Sequence, residues 1–356
     1  MKPLRILVMS VLVVLQGCSS AGYYLQAVEG HIGIMERSHP ISDTIAESDT
    51  PQTLRERLKR VLVIREFASR ELALPDNGSY RFYADLGRPF ALWNVFAAPE
   101  FSVEPKKSCL LFVGCVSYRG FYSEEEARSY AVKLRDEGYD AHVGGVPAYS
   151  TLGFFNDPVL STFVRAPEPE VARLIFHELA HQIVYVRGDT AFNESFATAV
   201  EEEGVRRWLA QRGNPSERAT WEALQARRRD FIALVTRYRE RLAQFYAQPA
   251  SLAEKRAGKA RLFEEMRRDY EALKTSWGGY AGYDRFFNEH LNNASLAVVA
   301  AYSVWVPAFT AMIRHDGGDM KAFYRDVKEL ARLEKDERTA RLHQLDPAAV
   351  LTDSAS

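Results

Sequence analysis

The stretch Phe176-His177-Glu178-Leu179-Ala180-His181-Gln182 carries the strongest signal in this chain of 356 residues. It lies inside residues 170–186, where apolar side chains recur at the three- and four-residue spacing of an amphipathic helix. On such a helix His177 and His181 project from one face, one turn apart. Two imidazole nitrogens placed in this way suit a tetrahedral zinc ion. Glu178 lies next to the first of them, where it can reach a metal-bound water without being a ligand.

A third ligand is expected from the segment that follows. Gly188 is placed to end the first helix and Asp189 to cap a second helix, whose second turn contains Glu194. A tight turn would bring that carboxylate back beside the histidine pair, and a glutamate directed into an apolar helix pair without such a role would be costly to bury. We therefore predict that His177, His181 and Glu194 bind one zinc ion per chain, with one position left for water.

The N-terminus has the features of an export signal. A positively charged start precedes an apolar run at residues 6–15, which is too short to span a bilayer comfortably. The run ends in Leu15-Gln16-Gly17-Cys18, which resembles the lipobox of bacterial lipoproteins; an ordinary signal peptide or a simple membrane anchor is the alternative. The resemblance implies cleavage before Cys18, acyl chains on its thiol, and anchoring to the outer membrane on the periplasmic side, since Ser19 rather than an aspartate follows.

The four residues His177, Glu178, His181 and Glu194 match the gluzincin pattern, in which a second helix gives the glutamate ligand. Together with the lipobox, these residues make the chain similar to the predicted zinc aminopeptidases of Gram-negative bacteria over nearly its whole mature length. The other segments that share this resemblance are Asn193-Glu194-Ser195-Phe196-Ala197, Tyr118-Arg119-Gly120 and Leu152-Gly153-Phe154. The family implies aminopeptidase activity. The chain lacks the Gly-x-Met-Glu-Asn segment by which one large aminopeptidase group holds the substrate amine, so exopeptidase and endopeptidase action both stay open.

The expected reaction is peptide hydrolysis, in which Glu178 takes the proton of zinc-bound water and delivers it to the departing amine. A further hydrogen-bond donor should stabilise the developing oxyanion. Tyr302, a phenol in an otherwise apolar helix, is the first candidate, and a core tyrosine bonded to a backbone carbonyl is the alternative interpretation. The sequence does not separate it from three rivals, which are Tyr149, Tyr118 and His290.

Position along the chain also suggests which residues orient the ligands. A ligating histidine usually donates its other ring nitrogen to a carboxylate or carbonyl. Asp157 precedes the metal helix, Glu201 lies two turns after Glu194 on the same face, and Asn193 adjoins the third ligand, so all three are candidates. The candidates for contacts with the peptide backbone are an edge strand predicted at 146–153, Asn292 and Asn293.

Cys109 and Cys115 are the remaining two of the three cysteines, and the periplasm permits them to pair. A fully extended strand between them would hold their Cα atoms too far apart, so pairing requires a turn near Gly114. A disulfide and two buried thiols stay as alternatives, and no catalytic role is expected for either cysteine.

The sequence predicts an α+β protein, with a small mixed β-sheet subdomain, zincin-like active-site helices and a mostly helical C-terminal half. Helical periodicity covers Thr53 to Leu74, and a helix capped by Ser123 lies among short β-prone runs. Pro215 to Gln248 and Ser251 to Ser276 form a long helical hairpin whose arginines are expected to be solvated, with a protein-binding arm as the alternative. The predicted segments are a signal peptide at 1–17, an N-terminal helical segment at 18–78, a mixed α/β subdomain at 79–168, the zinc-binding helix pair at 169–212, the hairpin at 213–277 and a C-terminal helical region at 278–356.

Ala294 to Ile313 carries no charge over a length that meets the criterion for a membrane span. Its alanines, serines, Tyr302 and Pro307 make it less apolar than a typical span. We predict a buried central helix here, with a membrane span as the alternative.

Composition narrows the functional classes. A hydrophobic fraction of 47% excludes a disordered chain, and a formal net charge of −1 gives no support to nucleic-acid binding. The leading hypothesis is a periplasmic zinc metallopeptidase, an aminopeptidase by resemblance, whose partners are a peptide substrate and the membrane reached through the lipid anchor. The alternative is an envelope-assembly or chaperone-like lipoprotein with a structural zinc site. Glu178 favours the enzyme, because a structural site needs no base and normally closes its fourth position.

Overall fold

The computed structural model describes residues 22–110, 114–212, 214–288 and 291–345. In this part of the chain every strand lies between residues 38 and 160, and every element after residue 160 is a helix. The predicted α+β class is therefore confirmed. The predicted export signal, with Cys18 and its lipobox, lies outside the described residues.

Three helices and a short sheet form the N-terminal part. The helices are α1 (22–35), α2 (Ile41–Ala46) and α3 (Gln52–Leu72). The sheet has the order β1-β2-β8, with β1 (Ser38–Pro40), β2 (Phe82–Ala84) and β8 (Val159–Leu160). Helix α3 confirms the predicted helical periodicity, since it buries Leu58, Val61 and Ile64 at that spacing. Because β8 ends shortly before the helix with the two histidines, this sheet fixes where that helix starts.

A second sheet, with the order β6-β3-β7, is antiparallel throughout. Its strands are β3 (Leu92–Pro99), β6 (Tyr118–Phe121) and β7 (Tyr139–Val146), and a separate hairpin is formed by β4 (Ser108–Leu110) and β5 (Gly114–Val116). Helix α4 (Glu124–Asp136) covers one face of the sheet and packs on Trp93 and Val95. The Ser123 hydroxyl accepts the Glu126 N–H at 3.3 Å, which confirms the predicted cap. The opposite face of the sheet lines a cavity.

The helices α5 (Glu168–Ala180) and α6 (Thr190–Arg212) lie in the main apolar core. The prediction that Gly188 ends the first helix was wrong, because α5 already ends at Ala180 and the Val186 backbone pairs with the Asn193 amide instead of continuing the helix. Gly188, with a φ of +80°, lies in the turn before α6. The predicted cap is present, since the Asp189 carboxylate accepts the Phe192 N–H at 3.3 Å. Gly204 brings α6 close to its neighbours, because a Cβ there would lie 2.6 Å from the Phe176 ring.

The predicted hairpin is confirmed as the pair α7 (Pro215–Tyr246) and α8 (Leu252–Ser276), which surrounds an apolar core of its own. Asn214 caps α7, and Ser251 forms a capping box with Glu254 at the start of α8. The helices that follow are α9 (Asp284–Asn288), α10 (Asn293–Ser303), α11 (Val306–His315), α12 (Met320–Arg332) and α13 (Lys335–Leu345).

The prediction of one continuous helix over Ala294–Ile313 was wrong. The segment is divided between α10 and α11 by a turn at Val304 and Trp305. Pro307 explains the break, since it has no N–H to donate and its ring excludes a continuous preceding turn. Among the described residues, every helix is too short or too polar to cross a membrane.

Candidate metal centre and active site

The turn between α5 and α6 positions the candidate ligands. Asn193 clamps this turn with both ends of its amide: its Oδ1 accepts the Val186 N–H at 2.7 Å, and its Nδ2 donates to the Val186 carbonyl at 2.8 Å. This places Asn193 on the backbone of the turn, where it fixes the start of α6 and thus the position of Glu194.

His177, His181 and Glu194 come together at one buried point. The Oε2 atom of Glu194 lies 3.3 Å from Nε2 of His177 and 3.7 Å from Nε2 of His181. One ligand atom from each residue can be chosen so that all three lie within 4.8 Å of one another. Two imidazole nitrogens and one carboxylate oxygen thus form a group that can hold a metal ion. The Nδ1 atom of His181 is buried and has no hydrogen-bond partner among the described residues.

Opposite charges hold this group together. Burial raises the pKa of the Glu194 carboxyl, but His181 and His177 outweigh that effect and lower the pKa to about 2. Burial lowers the pKa of His177, whereas its hydrogen bonds to Glu194 and Glu201 raise it to about 10. Glu194 is therefore ionised at neutral pH, as a metal ligand must be.

Glu201 is the residue that orients His177. It is 0% exposed, and its Oε2 lies 2.9 Å from Nδ1 of His177. Arg173 donates to the same oxygen at 2.9 Å, and Arg228 donates to Oε1 at 3.0 Å. Burial opposes the charge on Glu201, yet these cations and His177 hold its pKa well below the usual range. This is the carboxylate–histidine arrangement that fixes which ring nitrogen of a ligand faces a metal.

The other two candidates for orienting residues, Asn193 and Asp157, bond to loop residues and not to a ligating imidazole. Asp157 accepts hydrogen bonds from the Thr151 N–H at 3.0 Å and the Ser150 hydroxyl at 3.4 Å, so its carboxylate holds a loop rather than an imidazole. Burial raises the pKa of Asp157 to about 6. The prediction that it supports a ligand was therefore wrong, because the loop brings its own donors to the carboxylate.

The candidates for peptide contacts are also placed differently from the predictions. Asn292 accepts the Ser295 N–H at 3.2 Å as a helix cap, and Asn293 donates to the Glu100 carbonyl at 3.0 Å, so both amides hold the fold. Strand β7 ends at Val146, and the residues that follow form a loop. The strand predicted at 146–153 is excluded by Leu152 and Gly153, whose φ angles are +57° and +84°.

Glu178 lines a cavity of about 480 Å³, and the candidate ligands His177, His181 and Glu194 line the same cavity. Burial raises the pKa of the Glu178 carboxyl, while His177 and His181 counteract the effect. The cavity face of the sheet β6-β3-β7, the loop after β7 and helix α1, through Tyr23 and Ala27, form the remaining walls.

Several tyrosines line this cavity. Burial first, and then Glu194, Tyr185 and Glu178, raise the pKa of Tyr118 well above its ordinary value. The Tyr149 hydroxyl lies 2.8 Å from Nδ1 of His31 on helix α1. The side chain of Tyr302 and the whole of His290 lie outside the described residues.

Cys109 and Cys115 lie directly opposite each other in the β4–β5 pair, where they form a disulfide with a Cα–Cα distance of 3.8 Å. Gly114, whose φ is +80°, packs against the turn between α5 and α6, since a Cβ there would lie 3.0 Å from the Gly188 nitrogen. The hairpin therefore braces the turn that positions the candidate ligands.

Two residues of this site, Arg173 and Arg228, were not foreseen. Arg173 had a usable signal, because it lies four positions before His177 on the same face of the helix. Arg228 had none, since it is one of many arginines on the charge-laced helix α7 and reaches Glu201 only through tertiary packing.

A buried pair of histidines with a glutamate from the next helix, and a second glutamate opening into the same cavity, defines a candidate metal-dependent hydrolase. The family described as Putative aminopeptidase matches residues 22–342, and the chain belongs to this family. Neither the curated proteins nor the solved structures contain a match to the chain.

Proposed function

We propose that this protein is a zinc-dependent metallopeptidase that removes N-terminal residues from peptides. The observation that supports the proposal is the convergence of His177, His181 and Glu194 on one buried point, with Glu178 opening into the same cavity. Zinc in hydrolytic sites takes three such donors and keeps a fourth position open. Membership of the aminopeptidase family supports the choice of substrate.

Each side chain then has a role in peptide hydrolysis. When bound, a zinc ion supplies Lewis acidity, which lowers the pKa of a water molecule and polarises a carbonyl group. Glu178 takes the proton of the attacking water and delivers it to the departing amine. Glu201 holds Nδ1 of His177, which keeps Nε2 of that ring directed at the metal position.

Tyr118 is the residue that we assign to the oxyanion. It lines the cavity, and its pKa is raised first by burial and then by Glu194, Tyr185 and Glu178. The phenol therefore stays protonated at neutral pH and can donate a hydrogen bond to the developing negative charge. Tyr149 is less suited to this role, since its hydroxyl already pairs with His31.

The proposal includes the anchor expected at Cys18, and the support for it is the N-terminal sequence. Tyr23 and Ala27 line the cavity a few residues further on, so a lipid at Cys18 would keep the site close to the membrane. Metabolic labelling with palmitate tests this part: we expect labelled protein from the natural chain and none from Cys18→Ala.

The central test compares a peptide with a free N-terminus and its N-acetylated form, each incubated with zinc-loaded protein. We expect cleavage of the free form alone. Glu178→Gln should keep stoichiometric zinc and lose activity by roughly 10²- to 10⁴-fold, the usual contribution of a general base. Glu203→Gln is the matched control, because Glu203 lies on α6 but pairs with Arg206 and Arg207. Internal cuts in both peptides would indicate an endopeptidase, and absence of both zinc and cleavage would refute the proposal.

A further inference from the structure

The two faces of the sheet β6-β3-β7 have different neighbours. Along the central strand β3, Trp93, Val95 and Ala97 face the apolar cluster beneath α4. The alternate residues Leu92, Asn94 and Phe96 line the cavity that also contains Glu178. Asn94 is thus a single amide in the middle of an apolar row on the buried central strand.

Glycines flank Asn94 on both neighbouring strands. Its register partner is Gly120 on β6 and Gly144 on β7. Directly opposite side chains in a sheet normally stand about 5 Å apart and fill this space. A Cβ at Gly120 would lie 3.2 Å from Oδ1 of Asn94, and a Cβ at Gly144 would meet nothing closer than 3.8 Å. The Asn94 amide therefore lies over Gly120, and beside it, above the bare backbone of Gly144, the cavity face of the sheet has a recess.

The amide oxygen beside this recess is unsatisfied. Asn94 is only 5% exposed, and its Oδ1 is buried without a hydrogen-bond partner among the described residues. Such groups are rare in folded proteins, because each buried acceptor without a donor is destabilising. An aliphatic residue would fit the apolar row without that cost, so the fold gives no reason for an asparagine here.

We propose that Asn94 is a substrate-binding residue, whose Oδ1 accepts an N–H from the peptide bound in the recess. The proposal rests on the proposed function, since it assumes that a peptide occupies this cavity. Two groups of a peptide supply such a donor: the α-ammonium of a free N-terminus and a backbone N–H. The apolar lining around the recess, from Leu92, Phe96, Val116 and Val298, favours a substrate whose adjacent side chain is apolar.

The experiment measures peptide binding without turnover. Leucyl-glycyl-glycine and its N-acetylated form are titrated calorimetrically into zinc-loaded Glu178→Gln protein and into the double variant Glu178→Gln/Asn94→Leu. We expect the Asn94→Leu change to weaken binding of the free peptide by about tenfold, since the peptide N–H loses its acceptor in a dry site. Loss confined to the free peptide identifies the α-ammonium as the donor, whereas equal loss with both forms identifies a backbone N–H.

Two further variants keep the result interpretable. Asn94→Asp retains an acceptor oxygen and should restore binding of the free peptide, and it should tighten that binding if the donor is the ammonium. Asn288→Leu, at an exposed asparagine on α9, is the matched control and should bind both peptides as the parent does. The melting temperature of Asn94→Leu should not fall, because the change removes an unsatisfied polar group from an apolar row.

Unchanged affinity in the Asn94→Leu double variant would overturn the inference, and so would a lower melting temperature, which would mean that the amide holds the fold. Neither result would affect the proposed function, which wild-type hydrolysis tests separately. Conversely, absence of hydrolysis by the wild type would refute the proposed function, while the titration would still report whether Asn94 binds peptide.

Discussion

At the scale of single residues, Glu201 is the buried carboxylate on which the orientation of a candidate ligand depends. This fully buried carboxylate meets His177, Arg173 and Arg228 at 2.9, 2.9 and 3.0 Å. Burying a lone carboxylate would be prohibitive, and these three partners make the charge tolerable. They also tie Glu201 to helices α5 and α7, so the orientation of one imidazole depends on the position of the hairpin.

We predict that Glu201→Gln weakens zinc binding by about 10- to 100-fold, the usual effect of losing a residue that orients a ligand. Competition with a chromophoric chelator measures the affinity. Glu203→Gln, on the same helix, is the control and should bind zinc as the wild type does. An unchanged affinity in Glu201→Gln would show that His177 is oriented without this carboxylate.

The role of Tyr118 gives a second prediction at this scale. Tyr118→Phe should lower kcat by roughly 10²-fold, as removal of an oxyanion donor does, while zinc content and KM stay near the wild-type values. Steady-state kinetics on a free peptide measure both constants. Tyr185→Phe is the informative comparison, because Glu194 also raises the pKa of Tyr185, after burial. An equal or larger loss in Tyr185→Phe would move the assignment to that residue.

At the scale of secondary-structure elements, local signals predicted what local interactions determine. The caps at Ser123 and Asp189 and the pairing of α7 with α8 were all visible in short stretches of sequence. The ligand geometry was predictable for the same reason, since a helix places His177 beside His181 and a short turn returns Glu194. The contribution of Arg228 and the recess beside Asn94 depend on which distant elements pack together, and no local pattern specifies that packing.

The disulfide hairpin β4–β5 offers a prediction at this scale. Removing the bond between Cys109 and Cys115 should lower the free energy of unfolding by roughly 2 kcal/mol, the value expected for so short a closed loop. Urea denaturation of the oxidised protein and of Cys109→Ser/Cys115→Ser measures the difference. A reducing agent should destabilise the wild type to a similar extent and leave the double variant unchanged. Equal stability of all four samples would indicate that the bond does not form in solution.

At the scale of the whole molecule, the candidate metal centre lies where separate parts of the fold meet. Helices α5 and α6 supply the ligands from within the main apolar core, which also contains α3 and α11. The hairpin, with its own core, reaches the same point through Arg228. The second sheet closes the cavity from the other side. An ion bound there would connect elements that are distant in sequence, so its binding energy should appear in global stability.

We therefore predict that chelation lowers the melting temperature and that added zinc restores it. A ligand present at about 100 times its Kd stabilises the folded state by about 2.7 kcal/mol, which corresponds to a shift of several degrees in a chain of this size. Differential scanning calorimetry of metal-free and zinc-loaded protein measures the shift.

His181→Ala should melt at the same temperature with and without zinc, because a ligand is gone. Glu178→Gln should keep the full shift, because Glu178 acts on the water and not on the ion. Loss of the shift in Glu178→Gln would indicate that Glu178 is itself a ligand. Absence of a shift in the wild type would show that His177, His181 and Glu194 do not bind zinc.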